Sequence, residues 1–314
     1  MNLFSILLAV SLLAPPEQPP STITFTGDVL LDRGVRRHVQ QVAARRHVSE
    51  AEAATCLFTP AVTALFRGSD AVVVNLECPA TAIRQPVFKR FNFRAEPSWL
   101  DALRRNGVTH CNLGNNHAID QGRQGLLSTL SNVRQHGMVP VGAGRTLDEA
   151  TLPVLLVERP RKVFLLASAQ MDLENFPFLP AKPSVSQMRV DTLCQRIRQL
   201  KRQHRGCAVV VSLHWGVEHT AAPTPQQRQQ ARRLIDAGAD ALVCHHTHTW
   251  QGEESYRGRP IFYSLGNFIF DPSRPLNQRG AIVQLIVSQH DVSAHTLPYD
   301  IRHCVPHLLP AAIH

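Results

Sequence analysis

The densest metal-ligating chemistry in the chain lies in Cys244-His245-His246-Thr247-His248. Each buried imidazole nitrogen needs a partner, so histidines packed this closely after an apolar run are costly unless they bind something. The run is Ala241-Leu242-Val243, which reads as a buried strand. On an extended chain, side chains at i and i+2 point to the same side. His246 and His248 then converge on one metal centre, and His245, of opposite parity, packs or supports from behind. A surface histidine cluster or a set of satisfied core groups is the competing reading. The remaining ligands must come from elsewhere in the chain.

They recur at strand ends. Ile23-Thr24-Phe25-Thr26 alternates like a strand and is followed by Gly27-Asp28. The β-branched run Ala71-Val72-Val73-Val74 finishes at Asn75-Leu76-Glu77. Val108 to Leu113 leads to Gly114-Asn115-Asn116-His117, and Ala208 to Leu213 leads to His214-Trp215-Gly216. In α/β sheets the carboxyl edge of the strands is where ligands bind. Five such ends carrying Asp28, Glu77, Asn116 with His117, His214 and the His246/His248 pair point to one shared site. Oxygen and imidazole donors suit Mn²⁺, Fe or Zn²⁺ better than Ca²⁺. Their number suggests two ions bridged by a carboxylate, an arrangement that clamps the oxygens of a phosphoester.

The intervening segments read as connecting helices and further strands. Thr59-Pro60 starts a short helix closed by Gly68, and Pro97 opens another ended by Gly107. A helix follows Gly122, and another runs from Gln187 to His204 with Val190, Leu193, Cys194, Ile197 and Leu200 on one face. Thr224-Pro225-Gln226-Gln227 supplies an N-cap, a proline at N1 and a glutamine at N3. Val154–Val157 and Val163–Ala167 form a hairpin across Arg159-Pro160-Arg161, and strands near Ala281–Val287 and Val292–Pro298 close the chain. Arg84 to Ala95 is a basic, aromatic loop.

Composition bounds the reading. The chain has 314 residues, 44% hydrophobic and 18% charged, enough apolar content for a large core and too little charge for disorder. Its formal charge of +9 favours anionic partners. The clusters Arg36-Arg37-His38, Arg45-Arg46-His47 and Arg196 to Arg205 each read as a solvated helix face. Seven scattered cysteines without a Cys-x-x-Cys pair exclude a disulfide framework and a zinc ribbon. Met1 to Ala14 is apolar and precedes a proline-rich stretch, so residues 1–20 read as a secretory signal or short N-terminal segment, although no Lys or Arg marks its start. Residues 21–314 read as one domain, exported to the periplasm or cell envelope.

At these residues the sequence resembles the CapA (PgsA) family of capsule and poly-γ-glutamate synthesis proteins, related to the calcineurin-like metallophosphoesterases. The resemblance rests on Gly27-Asp28-Val29-Leu30-Leu31-Asp32-Arg33, Asn75-Leu76-Glu77, Phe93-Arg94-Ala95 and Asn115-Asn116-His117 with Asp120 and Gly122. It continues through His214-Trp215-Gly216-Val217-Glu218, Gly238-Ala239-Asp240, His246-Thr247-His248 and Tyr263-Ser264-Leu265-Gly266-Asn267-Phe268-Ile269-Phe270. It implies a four-layer α/β/β/α sandwich with metals at one end of the central sheets. Asp28, Glu77, Asn116, His214, His246 and His248 would be the ligands to two divalent ions, with Glu77 bridging and His117 the general acid. Arg33, Arg94 and Asn267 would grip an anionic substrate, although Arg33 has Asp32 or Asp28 as alternative partners and Asn267 suits a turn. Glu218 would support a histidine ligand, and Trp215 either packs or walls the pocket.

The chain departs from the pattern in places. Leu30 stands where ordinary calcineurin-like phosphoesterases have a histidine ligand two positions after Asp28. Cys244 and Thr247 replace a usual Gly and Pro. The function implied is a metal-dependent hydrolase acting on a phosphoester, or else an amide, of an anionic envelope substrate, in company with capsule-synthesis membrane proteins. The alternative is a polyanion-binding accessory protein without catalysis. A nuclease would fit the charge, but no aromatic residues line a basic groove, which argues against a nucleic-acid partner.

Overall fold

The computed structural model describes residues 18–173 and 179–310. The apolar start of the chain, and the secretory reading attached to it, fall outside them. No helix among the described residues is long and apolar enough to cross a membrane.

Sixteen strands are described. In chain order they are β1 (Ser21–Val29), β2 (Ala71–Leu76), β3 (His110–Asn112), β4 (Val139–Val141), β5 (Ala143–Gly144), β6 (Val154–Val157), β7 (Val163–Ala169), β8 (Ser184–Val185), β9 (Ala208–His214), β10 (Ala241–Val243), β11 (Glu253–Tyr256), β12 (Arg259–Phe262), β13 (Asn267–Ile269), β14 (Arg279–Val287), β15 (Val292–Arg302) and β16 (Val305–Leu308). One sheet runs β16-β15-β14-β1-β2-β3-β4, with β13 also paired to β1; a second runs β11-β12-β10-β9-β7-β6. The site-bearing strands β1, β2 and β3 are mutually parallel, as are β7, β9, β10 and β12. Parallel strands place all their carboxyl ends on one edge, which is why scattered strand-end residues can meet.

Alternation along each strand builds the layers. In β2, Val72, Val74 and Leu76 join a cluster with Val35, Val39, Phe66 and Leu126 of the helices Arg33–Arg46, Pro60–Arg67 and Gly122–Gln135. In β9, Val209, Val211 and Leu213 join a second cluster with Leu193, Ile197 and Leu234 of the helices Val190–Gln203 and Pro225–Asp236. The opposite faces meet in a third cluster, where Ile23, Phe25, Ala71 and Val73 pack with Leu165, Val210 and Val243. Helices therefore cover the outer face of each sheet, and the two sheets face each other through apolar side chains. Each buried Val, Leu or Ile contributes about 1.5–3 kcal/mol to holding these layers together.

Toward the carboxyl edge the facing surfaces turn polar. Asn75 continues the inward face of β2, and Ser212 and His214 continue that of β9. Asn112 of β3 donates from Nδ2 across the gap to Ser212 Oγ at 3.2 Å.

The structure alters some local expectations. Asp28 lies inside β1 rather than beyond it. The pairing of β1 with β2 shifts register between Phe25 and Asp28. A regular strand would put Val29 on the face of Phe25; instead Val29 joins the helix-side cluster, and Asp28 stands opposite Asn75. The irregularity turns Asp28 toward the second sheet, as bulges beside functional sites commonly do. Strands β11, β13 and β16 were not legible in the sequence. Each is three or four residues long, below the length at which periodicity speaks.

Candidate metal centre

His246 and His248 are brought to the site by a turn, not by strand parity. β10 ends at Val243, and both histidines have left-handed backbones, with φ of 98° and 57°. Such conformations cost on the order of 1–3 kcal/mol each, and they persist where the surroundings over-determine them. The rings are 6.2 Å apart and serve neighbouring centres instead of a single one. One group of potential ligand atoms comprises Glu77, His214 and His246; the other comprises Asp28, Glu77 and His248. Within each group the atoms lie within 4.8 Å of one another, and Glu77 belongs to both.

Asn75 braces the floor. Its Nδ2 donates to Asp28 Oδ1 at 2.8 Å and lies 3.4 Å from His214 Nδ1. Asn116 Oδ1 is 2.9 Å from His214 Nε2, on the side where Glu77 Oε1 approaches at 3.5 Å. His248 Nδ1 lies 3.2 Å from Asp28 Oδ2 and 3.0 Å from Asn267 Oδ1. Asp28, Glu77 and His214 are at most 1% exposed. Yet Asp28 Oδ2, both Glu77 carboxylate oxygens and His246 Nδ1 have no well-formed hydrogen bond among the described residues. Buried carboxylates and imidazoles that converge with their hydrogen-bonding capacity unfilled are what a cation-binding cage requires, so the residues present fit divalent metal.

The charges are correspondingly perturbed. Burial alone would raise the Asp28 carboxyl, but the close approach and charge of His248 outweigh it and hold it below the ordinary range. Burial, reinforced by Asp28, pushes Glu77 well above its usual value. Burial and neighbouring imidazoles push His214 well down and His246 to about 4. For His248 burial works downward, but Glu77 and Asp28 prevail and lift it to about 9. Cys244 is wholly buried, burial raises its thiol to about 12, and it belongs to neither group of potential ligand atoms.

His117 borders a cleft of about 270 Å³ beside the two groups. Its Nδ1 donates to Asp120 Oδ2 at 2.8 Å, and its ring packs at a tilt against Phe93, with centroids 4.4 Å apart. Asp120 is fully buried and also holds Lys89 Nζ at 2.6 Å; Lys89 reaches the Asn116 carbonyl at 3.0 Å. Burial lowers His117, against the pull of Asp120.

The expected substrate-gripping residues divide. Arg33 lines the cleft, between the rings of Phe93 and Phe270, but its ion pair is with Asp271 at 2.5 Å, not with Asp32 or Asp28. Arg94 is placed elsewhere: its guanidinium is engaged by Glu96 and the Thr81 carbonyl and faces a separate polar hollow. Asn267 is fully buried behind His248, with its Nδ2 on the Asn277 carbonyl. Trp215 is packed, donating to the Tyr263 carbonyl at 3.1 Å. Glu218 borders the cleft and pairs with His219 at 3.6 Å. His245 lies behind the site, its Nε2 donating to the Thr26 carbonyl at 2.9 Å and its Nδ1 accepting from Ser212 Oγ at 3.3 Å. Sequence reading missed Asn75, Lys89 and Arg274. Asn75 had a signal, being a polar residue on the inward parity of a buried strand; Lys89 and Arg274 sit on loops and had none.

Residues 22–272 match the family described as bacterial capsule synthesis protein PGA_cap. The chain belongs to that family. It is 31% identical over 288 residues to the PGA biosynthesis protein CapA of Bacillus subtilis, covering 90% of this chain and 72% of the relative. To the capsule biosynthesis protein CapA of Bacillus anthracis it is 30% identical over 277 residues, covering 85% of this chain and 64% of the relative. Among solved structures it is similar to a 5'-nucleotidase precursor from Thermus thermophilus, with a TM-score of 0.50 and 11% identity over 92% of this chain and 55% of that one. That likeness concerns the fold alone. In this member of the family Leu30 is fully buried in the helix-side core, so the Asp28 group receives nothing from it.

Proposed function

We propose that the chain is a metal-dependent hydrolase of the phosphoesterase type, working on an anionic substrate of capsule or polyglutamate synthesis at the cell envelope. The observation that carries this reading is the pair of ligand groups sharing Glu77, with four buried ligand atoms that have no well-formed hydrogen bond among the described residues. Asp28, Glu77, Asn116, His214, His246 and His248 would hold two divalent ions (Mn, Fe or Zn), which when bound supply Lewis-acid stabilisation of phosphoester oxygens.

The chain's own residues supply the rest. Asp120 fixes the His117 tautomer with the proton on Nδ1, so proton exchange with a leaving oxygen takes place at Nε2, the imidazolium form donating. Phe93 and Phe270 keep that wall of the cleft apolar. Arg33, its charge shared with Asp271, and Arg274, which forms no ion pair among the described residues, make the rim cationic toward an anion. Export through residues 1–20 and association with capsule-synthesis membrane proteins belong to the same proposal.

A second reading, a polyanion-binding accessory without turnover, draws support from Leu30, since the Asp28 group has only three side-chain ligands among the described residues. Elemental analysis of protein purified without added metal, followed by phosphomonoester and phosphodiester turnover with Mn²⁺, Fe²⁺ or Zn²⁺, separates the two. The hydrolase predicts bound metal and turnover that falls about 10²–10⁴-fold in His117→Ala. Bound metal with no turnover leaves the accessory role; absence of both defeats the metal-centred reading.

A further inference from the structure

The edge of the second sheet opposite the metal centre carries a concavity of about 390 Å³, bordered by Arg161, Lys162, His204, Arg205 and Gln289. Lys162 immediately precedes β7 and Cys207 precedes β9, joined by the Ala208 N–H to the Lys162 carbonyl at 2.8 Å. His214 ends β9, so seven residues of strand, roughly 20 Å, separate this concavity from the metal ligands.

Its cations are uncommitted. Elsewhere the arginines are largely paired: Arg36 with Asp32 and Glu96, Arg228 and Arg232 with Glu254, Arg279 with Asp300. Two carboxylates near this edge are taken, Asp240 by Lys201 and Asp291 by Arg259. Among the described residues Arg161, Lys162 and Arg205 form no ion pair. Two guanidinium nitrogens of Arg161, Nε and Nη2, are buried with no hydrogen-bond partner among those residues. A charged donor left so costs several times a neutral one, and its fork matches the two oxygens of a carboxylate or phosphate. The partial negative charge at the end of helix Val190–Gln203 is met by Arg202 in its last turn.

We infer that this concavity is an oxyanion-binding site, built by Arg161, Lys162 and Arg205 and separate from the metal cleft. It takes carboxylate or phosphate groups of an anionic chain or small molecule. The site stands on its own residues and does not depend on the hydrolase reading.

The test is binding of two probes, fluorescent poly-L-glutamate and inorganic polyphosphate, to the full chain at low ionic strength and again with added salt. Three variants accompany it: Arg161→Gln with Arg205→Gln, Arg104→Gln with Arg105→Gln as a charge-matched control on exposed positions, and His246→Ala with His248→Ala. Saturable binding of either probe should weaken by about tenfold or more in the first variant, as expected for lost charge-assisted bonds. It should change by less than roughly twofold in the exposed-position control, the range of diffuse surface charge. The tighter probe then assigns the source of the oxyanion. If the first variant fails to fold, Lys162→Gln, at an exposed position, must weaken binding by roughly threefold or more. Equal weakening in the control, loss only in the histidine variant, or no saturable binding of either probe overturns the assignment.

Discussion

At the residue scale, the site's most consequential support is a lysine on a loop. The Lys89 side chain is 2% exposed and pairs with a carboxylate that is fully buried. Removing one partner of such a pair leaves an uncompensated charge, so Lys89→Met should destabilise the chain by roughly 3–5 kcal/mol in urea unfolding. Adding Asp120→Asn should recover part of that loss; a double variant as unstable as the sum of the single ones would show that the two residues do not act together. A second residue links charge to pH. The Arg94 hydrogen bonds hold Glu96 at about 2 against the opposing effect of burial, with Arg36 adding to them. A depressed carboxyl stabilises fully above its unfolded value near 4.5, and that stability fades as pH falls through about 2. Glu96→Gln should therefore lower the melting temperature at neutral pH, by the equivalent of roughly 1 kcal/mol after solvent screening. The difference from the parent should shrink as the pH approaches 2. A gap that stays constant with pH would assign the effect to packing.

At the element scale, the irregularity in β1 decides the site. It reverses side-chain parity between Phe25 and Val29, so Asp28 meets Asn75 instead of the outer helices. Gly27 sits inside it, and a Cβ there would lie 2.0 Å from the Gly266 carbonyl oxygen. Gly27→Ala must push β1 from the turn before β13, which carry Asp28 and Asn267. The expected result is a loss of about 1–3 kcal/mol of stability together with reduced metal content by elemental analysis. Normal metal content would mean that the close approach is not what positions Asp28. Elements whose signals are local were readable without the fold. The Thr224-Pro225-Gln227 pattern forms the expected capping box, with Thr224 Oγ1 accepting from Gln227 N at 3.1 Å and Gln227 Oε1 from Thr224 N at 2.9 Å. The hairpin of β6 and β7 likewise lies where its apolar runs flank Arg159-Pro160-Arg161.

At the scale of the molecule, two sheets close on an apolar layer whose carboxyl end is polar, and the two ligand groups sit at that end. The site brings together carboxylates that repel in the absence of a cation, so a bound metal would be coupled to folding stability. Titrating Mn²⁺ or Zn²⁺ into chelator-treated protein should raise the melting temperature progressively, by the equivalent of about 2.7 kcal/mol at a hundredfold excess over Kd. His246→Ala with His248→Ala should abolish that rise. A rise that survives the substitution would place the metal elsewhere.

The sequence by itself determined which residues are candidates for metal chemistry. Donor types, their recurrence after apolar β-branched runs and the family motifs are local properties, and they led to Asp28, Glu77, Asn116, His117, His214, His246 and His248. Only the tertiary structure decided how those residues divide. Side-chain parity fails where a strand shifts register or a chain turns through positive φ, so neither the facing of Asp28 nor the separation of His246 from His248 could be read from spacing. Ion pairing is likewise a property of distant segments: Asp271 claims Arg33 and Glu96 claims Arg94, while Arg161 and Arg274 are left without carboxylates among the described residues. Spacing along the chain does not determine proximity across a fold built from parallel strands.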